Sequence, residues 1–211
     1  MHAALDIHKF SRPIMRHFRS RRMEEFVRIF SITDRHQIID IGGNEFNWTL
    51  IPQHPLITII NIDAEERAEG RFRVERGDAR CLQFKDGSFD IAYSNSVIEH
   101  VGSWEDQQHF AAEVRRVAPR YYVQTPNRRF IVDPHLLTPF IHFLPKCIAR
   151  KLMRNFTLHG LITRPNQQWI DEFLARTRML TETEMHTLFP DAEVLHENVF
   201  GMTKSLIAVR R

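Results

Sequence analysis

Residues 56–62 read Leu-Ile-Thr-Ile-Ile-Asn-Ile, a run dominated by β-branched side chains. A strand with one wet face alternates apolar and polar positions. A nearly continuous apolar run suits a strand covered on both faces, as in parallel sheets. Parallel neighbours need long crossovers, usually helical, so strands and helices should alternate along the chain. They do. Gln37–Ile41 is a short strand, and Arg71–Glu75 is a weaker one closed by Arg76-Gly77-Asp78. Phe89–Ser94 is another, introduced by the turn Lys85-Asp86-Gly87-Ser88. Ser103–Val117 reads as a helix: Ser103 and Asp106 have capping-box spacing, and Pro119 follows its end. Arg120–Gln124 is then a further strand.

The flanks differ. Residues 1–36 are basic, with Lys9-Phe10-Ser11-Arg12-Pro13 and Arg19-Ser20-Arg21-Arg22. Met23, Phe26, Val27 and Phe30 recur at helical spacing, so a helix should pack here on the core and leave its basic face solvated. Residues 126–180 break the rhythm with Pro126, Pro134, Pro139, Pro145 and Pro165 among aromatic and basic segments. So long and apolar a stretch is no plain loop, and we expect an inserted helical lid. Within it, Phe140–Arg154 mixes apolar and basic residues as a lid with a wet outer face would; the same pattern suits peripheral membrane contact. Thr181 and Glu184 form a second capping box, for a short helix ending before Pro190. Ala192–Asn198 and Lys204–Arg210 read as two strands whose connection is too short for a helix, so they should pair antiparallel.

A chain of 211 residues suits one domain, with residues 1–36 as a helical arm and 126–180 as the insertion. Its 43% hydrophobic and 26% charged composition excludes wholesale disorder. A net charge of +3 permits anionic partners without demanding them. Cys81 and Cys147 lack CxxC spacing, and the histidines lack HExxH, so neither a disulfide framework nor a metal site of that kind is expected. There is no signal-peptide layout and no apolar run long enough to span a membrane, so the expected location is cytoplasmic.

The candidate chemistry lies where strands end. Asp40-Ile41-Gly42-Gly43-Asn44-Glu45 closes the first strand, and glycines there let backbone approach a ligand closely. Asp63 closes the second, where an acid can accept from both ribose hydroxyls of an adenosine. Gly77-Asp78-Ala79 follows the third; an aspartate there can hold an adenine amino group, with a backbone amide nearby. The fourth runs Phe89-Asp90-Ile91-Ala92-Tyr93-Ser94-Asn95-Ser96 and leads to Val97-Ile98-Glu99-His100-Val101.

This set, in this order, resembles the class I S-adenosylmethionine-dependent methyltransferases, in particular their small-molecule (type 11-like) branch. The resemblance covers roughly residues 36–125. It implies an α/β fold: a Rossmann-like, seven-stranded, mostly parallel sheet with an antiparallel last strand and helices on both faces. It implies S-adenosylmethionine as cofactor and S-adenosylhomocysteine as product, with Asp40, Gly42, Gly43, Asn44, Asp63, Asp78, Ala79, Asn95 and Ser96 at the cofactor. Two glycines of the family loop are replaced here by Asn44 and Phe46; asparagine tolerates positive φ, so Asn44 is expected to keep the turn. The implied reaction is methyl transfer to a small acceptor (a sugar or glycan, a lipid-linked compound or a secondary metabolite), at oxygen. A hydroxyl acceptor needs a base, and His100, His135 and His142 are the candidates. Glu99 could instead hold a helix terminus. A nicotinamide dehydrogenase is disfavoured because G-x-G-x-x-G is absent. A nucleic-acid methyltransferase finds support only in the basic arm, and Ser94-Asn95-Ser96-Val97 stands where its N-P-P-[YF] motif would be. A non-catalytic binding protein on the same fold is the remaining alternative, motivated by Asn44 and Phe46.

Overall fold

The computed structural model describes residues 7–211, with side chains from Arg16 onward. The basic stretch Lys9–Pro13 therefore lies outside the described side chains. In chain order the elements are α1 (Ile7–Phe30), β1 (Gln37–Ile41), α2 (Glu45–Trp48), β2 (Leu56–Asn61), β3 (Arg67–Glu69), β4 (Phe72–Arg76), β5 (Ile91–Asn95), α3 (Trp104–Val117) and β6 (Arg120–Pro126). Then come β7 (Val132–Asp133), β8 (Thr138–Pro139), α4 (Lys146–Phe156), α5 (Leu158–Thr163), α6 (Gln167–Arg176), α7 (Glu182–Leu188), β9 (Glu193–Val199) and β10 (Met202–Arg210).

The main sheet runs β3-β4-β2-β1-β5-β6-β10-β9. β4, β2, β1, β5 and β6 are parallel. β10 is antiparallel to both β6 and β9, as the short connection requires. The sheet has eight strands rather than the seven expected. The extra one, β3, pairs antiparallel with β4 at the edge. All three of its residues, Arg67, Ala68 and Glu69, are exposed, so it carries no apolar pattern for sequence reasoning to find.

Alternation along the strands divides the core in two. Ile38, Ile57, Ile59, Ile91, Tyr93 and Tyr122 face α1, whose Met23, Phe26 and Phe30 are buried against them with Trp48. Ile39, Ile41, Ile60, Ala92, Tyr121 and Val123 face α3 and α7. Each large apolar side chain buried in this way contributes about 1.5–3 kcal/mol. Both predicted capping boxes form: Ser103 with Asp106 starts α3, and Thr181 with Glu184 starts α7.

The insertion between β6 and α7 holds the β7–β8 hairpin and helices α4, α5 and α6. It has its own small core of Leu136, Ile141, Ala149, Met153 and Ile170. No helix among the described residues is long and apolar enough to cross a membrane.

Candidate functional site

The parallel order reverses about β1, which has β2 on one side and β5 on the other. Ligands of open α/β sheets bind outside the strand ends at such a switch point. Gly42 and Gly43 sit there. Gly42 has φ +76°, and a Cβ on it would lie 2.6 Å from both Val97 methyls. A Cβ on Gly43 would lie 2.1 Å from the Asp40 carboxylate oxygens. The turn is thus pressed against the end of β5 on one side and against Asp40 on the other. Asn61 Nδ2 donates to the Gly43 carbonyl at 2.6 Å and pins the loop to β2.

Asn44 does not keep a positive-φ turn. Its backbone is extended (φ −152°), and its side chain caps α2 by accepting from the Phe46 amide at 3.0 Å. The positive φ is supplied by Gly42, which frees Asn44 for the cap. Phe46 is 40% exposed, with the Arg19 guanidinium 5.7 Å from its ring centroid.

Asp40 is fully buried. Trp48 Nε1 donates to its Oδ2 at 2.8 Å, while Oδ1 has no hydrogen-bond partner. Burial pushes its pKa up to about 7, against the pull of the Trp48 bond. Asp63 lies two residues beyond β2, exposed, with no side-chain bond among the described residues. Asp78 is less available. Arg80 holds its carboxylate at 2.7 Å and bridges to Asp106 at 2.8 Å. The Arg80 hydrogen bonds keep the Asp78 pKa below the ordinary carboxylate range. Ala79 packs partly buried on the α3 side of the core. Ser96 has φ +57° and donates from Oγ to Gln124 Oε1 at 2.9 Å. Asn95 Oδ1 accepts from Arg22.

Arg22 is a correction to the expected solvated face of α1. It is only 8% exposed and also donates to Gln124 Oε1 at 3.1 Å and Glu197 Oε1 at 2.9 Å. It shares a helical stripe with Phe26 and Phe30, at i, i+4 and i+8, and that spacing was the available signal.

The three candidate histidines converge where the segment after β5 meets the insertion. The His100 and His135 rings stand edge to face, with centroids 4.7 Å apart. His135 Nδ1 is 3.5 Å from Asp133 Oδ1, and His142 Nδ1 is 3.9 Å from Asp133 Oδ2. On the other side His135 Nε2 is 3.9 Å from Glu99 Oε1. Glu99 is fully buried; its Oε2 accepts from Thr125 Oγ1 at 2.9 Å, and Oε1 has no hydrogen-bond partner. Its carboxylate lies within this cluster, and its backbone forms part of the single 3-10 turn Ile98–His100.

The electrostatics follow from burial and charge. Burial raises the Glu99 pKa, with His135 and Thr125 opposing. Burial works against charge on His135, but Asp133 and Glu99 together outweigh it and hold that pKa above the ordinary value. Burial likewise opposes charge on Asp133, and there the His135 contact and two backbone amides prevail and lower the pKa. His100 keeps an exposed edge, yet desolvation of the rest of the ring, then His135, pushes it down to about 4. Beside the cluster opens a cavity of about 500 Å³, with Asp133, His142, Thr177 and Arg178 on its polar wall and Leu136, Met153, Phe173 and Leu174 on its apolar wall. Glu99 and Asp133 are the site residues that sequence reasoning did not select.

Comparison with known proteins bears on the fold. Residues 50–120 match the model of a methyltransferase domain family. No curated protein matches the chain in sequence. Among solved structures, a SAM-dependent methyltransferase from Methanosarcina mazei is 18% identical, with a TM-score of 0.50, over 84% of this chain and 92% of that one. The magnesium protoporphyrin IX methyltransferase of Synechocystis PCC 6803, solved with bound SAH, is 12% identical with a TM-score of 0.57, over 100% of this chain and 90% of that one. A Rhodobacter sphaeroides protein named for zinc-dependent alcohol dehydrogenases has the same TM-score of 0.57 at 12% identity, over 90% and 88%. At such identities the likeness is one of fold alone.

Proposed function

From a chain with the class I S-adenosylmethionine-dependent methyltransferase fold and a methyltransferase-domain match over residues 50–120, we propose an enzyme that methylates a small-molecule acceptor at oxygen. The observation that carries the reading is the Gly42–Gly43 turn, wedged between Val97 and Asp40 at the sheet's switch point. Side chains at either glycine would clash with the wall behind, so the backbone lies as close to the strand ends as it can. The unpartnered, buried Asp40 Oδ1 beneath it is the kind of orphan that a cationic ligand compensates.

S-adenosylmethionine, when bound, supplies a methyl group on a positively charged sulfur. The chain's own residues do the rest. Asp63, exposed and without a side-chain bond among the described residues, would accept from ribose hydroxyls. Ala79 and the backbone beside it border the adenine end, with Asp78 reaching an amino group only from its Arg80 pair. Asn95 and Ser96, fixed by Arg22 and Gln124, form the floor between the two ends of the site. In-line transfer depends chiefly on positioning, and these anchored side chains supply it.

Acceptor recognition falls to the insertion. Its cavity suits a compact molecule with an apolar body and polar substituents. Methylation at oxygen requires loss of a proton, and His100, His135 and His142, grouped with Glu99 and Asp133, are the bases we assign to it. A lipid-linked acceptor, with peripheral membrane contact, is supported by exposed Phe143, Ile148 and Phe156 near Lys151 and Arg154.

Calorimetric titration with S-adenosylmethionine, S-adenosylhomocysteine and NAD tests the premise. Binding of the two adenosyl ligands and not of NAD is the expected result. A folded protein that binds none of them would instead be a binding protein on a methyltransferase fold, as Asn44 and Phe46 alone suggested.

A further inference from the structure

We propose that Glu99, His100 and His135 form a binding site for a divalent transition-metal ion of the zinc class, with an open coordination position facing the insertion. One ligand atom from each residue lies within 4.8 Å of the others. Ligands around a tetrahedral zinc, at about 2.0–2.2 Å from the metal, stand some 3.4 Å apart, so modest side-chain rotations close the set. Two imidazoles and one carboxylate suit zinc and its neighbours in the first transition row better than magnesium or calcium, which favour oxygen.

Three features beyond proximity point to a ligand. Glu99 is fully buried, and Thr125 ties down one of its oxygens while the other, Oε1, has no hydrogen-bond partner. A buried carboxylate oxygen without a partner is costly, and a cation removes that cost. His135 presents Nε2 towards that oxygen at 3.9 Å, and its far nitrogen, Nδ1, makes no hydrogen bond but lies 3.5 Å from Asp133 Oδ1, within reach of one after a small ring rotation. Carboxylate behind histidine behind metal is the usual outer support of such a site, because it fixes the ring and raises its basicity. Asp133 is itself held by the His135 and Leu136 amides, at 2.8 and 2.9 Å, so the support is rigid. His100 is the exposed member, and exposure on that side gives the ion a way in.

Spacing could not have revealed this set, because His135 is far from Glu99-His100 in sequence and comes from the insertion. With three protein ligands the fourth position stays open, as in catalytic rather than structural zinc sites. This part rests on the methyltransferase reading: an acceptor hydroxyl in that position would have its pKa lowered by the ion and release its proton to water, with His100 and His135 then acting as ligands and not as bases. A metal of this kind selects acceptors that offer a hydroxyl, alone or paired with a second oxygen.

The test uses the full chain, stripped of metal by a chelator. Co²⁺ is followed by its visible d–d bands and Zn²⁺ by calorimetry, with Mg²⁺ as competitor. One equivalent of Co²⁺ or Zn²⁺ should bind in the presence of excess Mg²⁺. Glu99→Gln and His135→Gln should each weaken binding by 100-fold or more, and Asp133→Asn by about 10–100-fold. His186→Gln, on the exposed face of α7, should leave binding unchanged. His100→Ala provides a second ligand variant at an exposed position should a buried one fail to fold. Absence of binding by the wild type, or equal binding by wild type and the ligand variants, overturns the proposal. S-adenosylmethionine titration of the same samples is read separately: its failure would refute the cofactor assignment and leave the metal result standing.

Discussion

Replacing Asp40 by asparagine isolates one buried proton. The Asp40 carboxyl is fully buried, accepts one bond from Trp48 at 2.8 Å, and has its pKa pushed up to about 7 by burial. The unfolded chain ionises it near 3.8, the ordinary value. Between these values the folded state holds a proton that the unfolded state has lost. The stability contributed by Asp40 is therefore complete below about 3.8 and drains away as pH rises through 7. One proton corresponds to about 1.4 kcal/mol per pH unit, so the loss from pH 5 to pH 8 comes to roughly 3 kcal/mol. Asparagine keeps the shape and the Trp48 bond but cannot ionise. Its amide hydrogens would face the place where Oδ1 has no partner, a pH-independent cost of about 1–3 kcal/mol. Asp40→Asn should thus be the less stable protein at pH 5 and should close or reverse the gap by pH 8. Urea unfolding of both proteins at pH 5, 6, 7 and 8 reads this directly, because all other titrating groups cancel in the difference. Parallel stability profiles would refute the raised pKa and with it the description of Asp40 as a desolvated, partly neutral acid.

Asp63→Ala should weaken S-adenosylmethionine binding about 10–100-fold by calorimetry, the value of a charged hydrogen-bond acceptor, without moving the melting temperature; unchanged affinity removes Asp63 from the cofactor site. Gly43→Ala should destabilise by about 1–3 kcal/mol, because the added Cβ at 2.1 Å from Asp40 meets a carboxylate that Trp48 holds in place, and a wild-type melting temperature would show that the turn is loose. Arg22→Ala removes one cation from Glu197, which keeps Lys204 and Ser205, and one donor from Gln124, which keeps Ser96, and should cost about 1–3 kcal/mol in urea unfolding; an unchanged stability would mean that the network relaxes freely.

The parts of the fold that could be read in the sequence are those whose signals are local. β2 declares itself by its β-branched run, and α3 and α7 by capping boxes whose partners are three residues apart. The final antiparallel pair follows from the length of one connection. β3 is different: its three residues are all exposed and are strand only because β4 offers an open edge. Asn44 shows a subtler limit. Its side chain suits a positive-φ turn and a helix cap equally, and Gly42, two residues earlier, decides which role is left to it.

The acceptor end was legible only in pieces, because its parts come from different layers. Glu99 and His100 follow β5, Thr125 lies near the end of β6, Asp133 ends β7, His135 lies in the β7–β8 turn, and His142 follows the hairpin. Apart from the Glu99-His100 pair, no motif links these positions. What unites them is the return of the insertion over the sheet edge, secured where Asn127 bonds the Lys204 and Thr203 carbonyls and where the Arg178 amide donates to the Glu99 carbonyl at 2.7 Å. Those backbone and side-chain anchors sit at the two ends of the insertion and fix its start to β10 and its finish to the segment after β5. A chain built this way has its glycine turn on the strand ends of the sheet and its histidine cluster completed by a separately cored unit. The ends of β5, β6 and β10 are then the common reference that keeps the two in register.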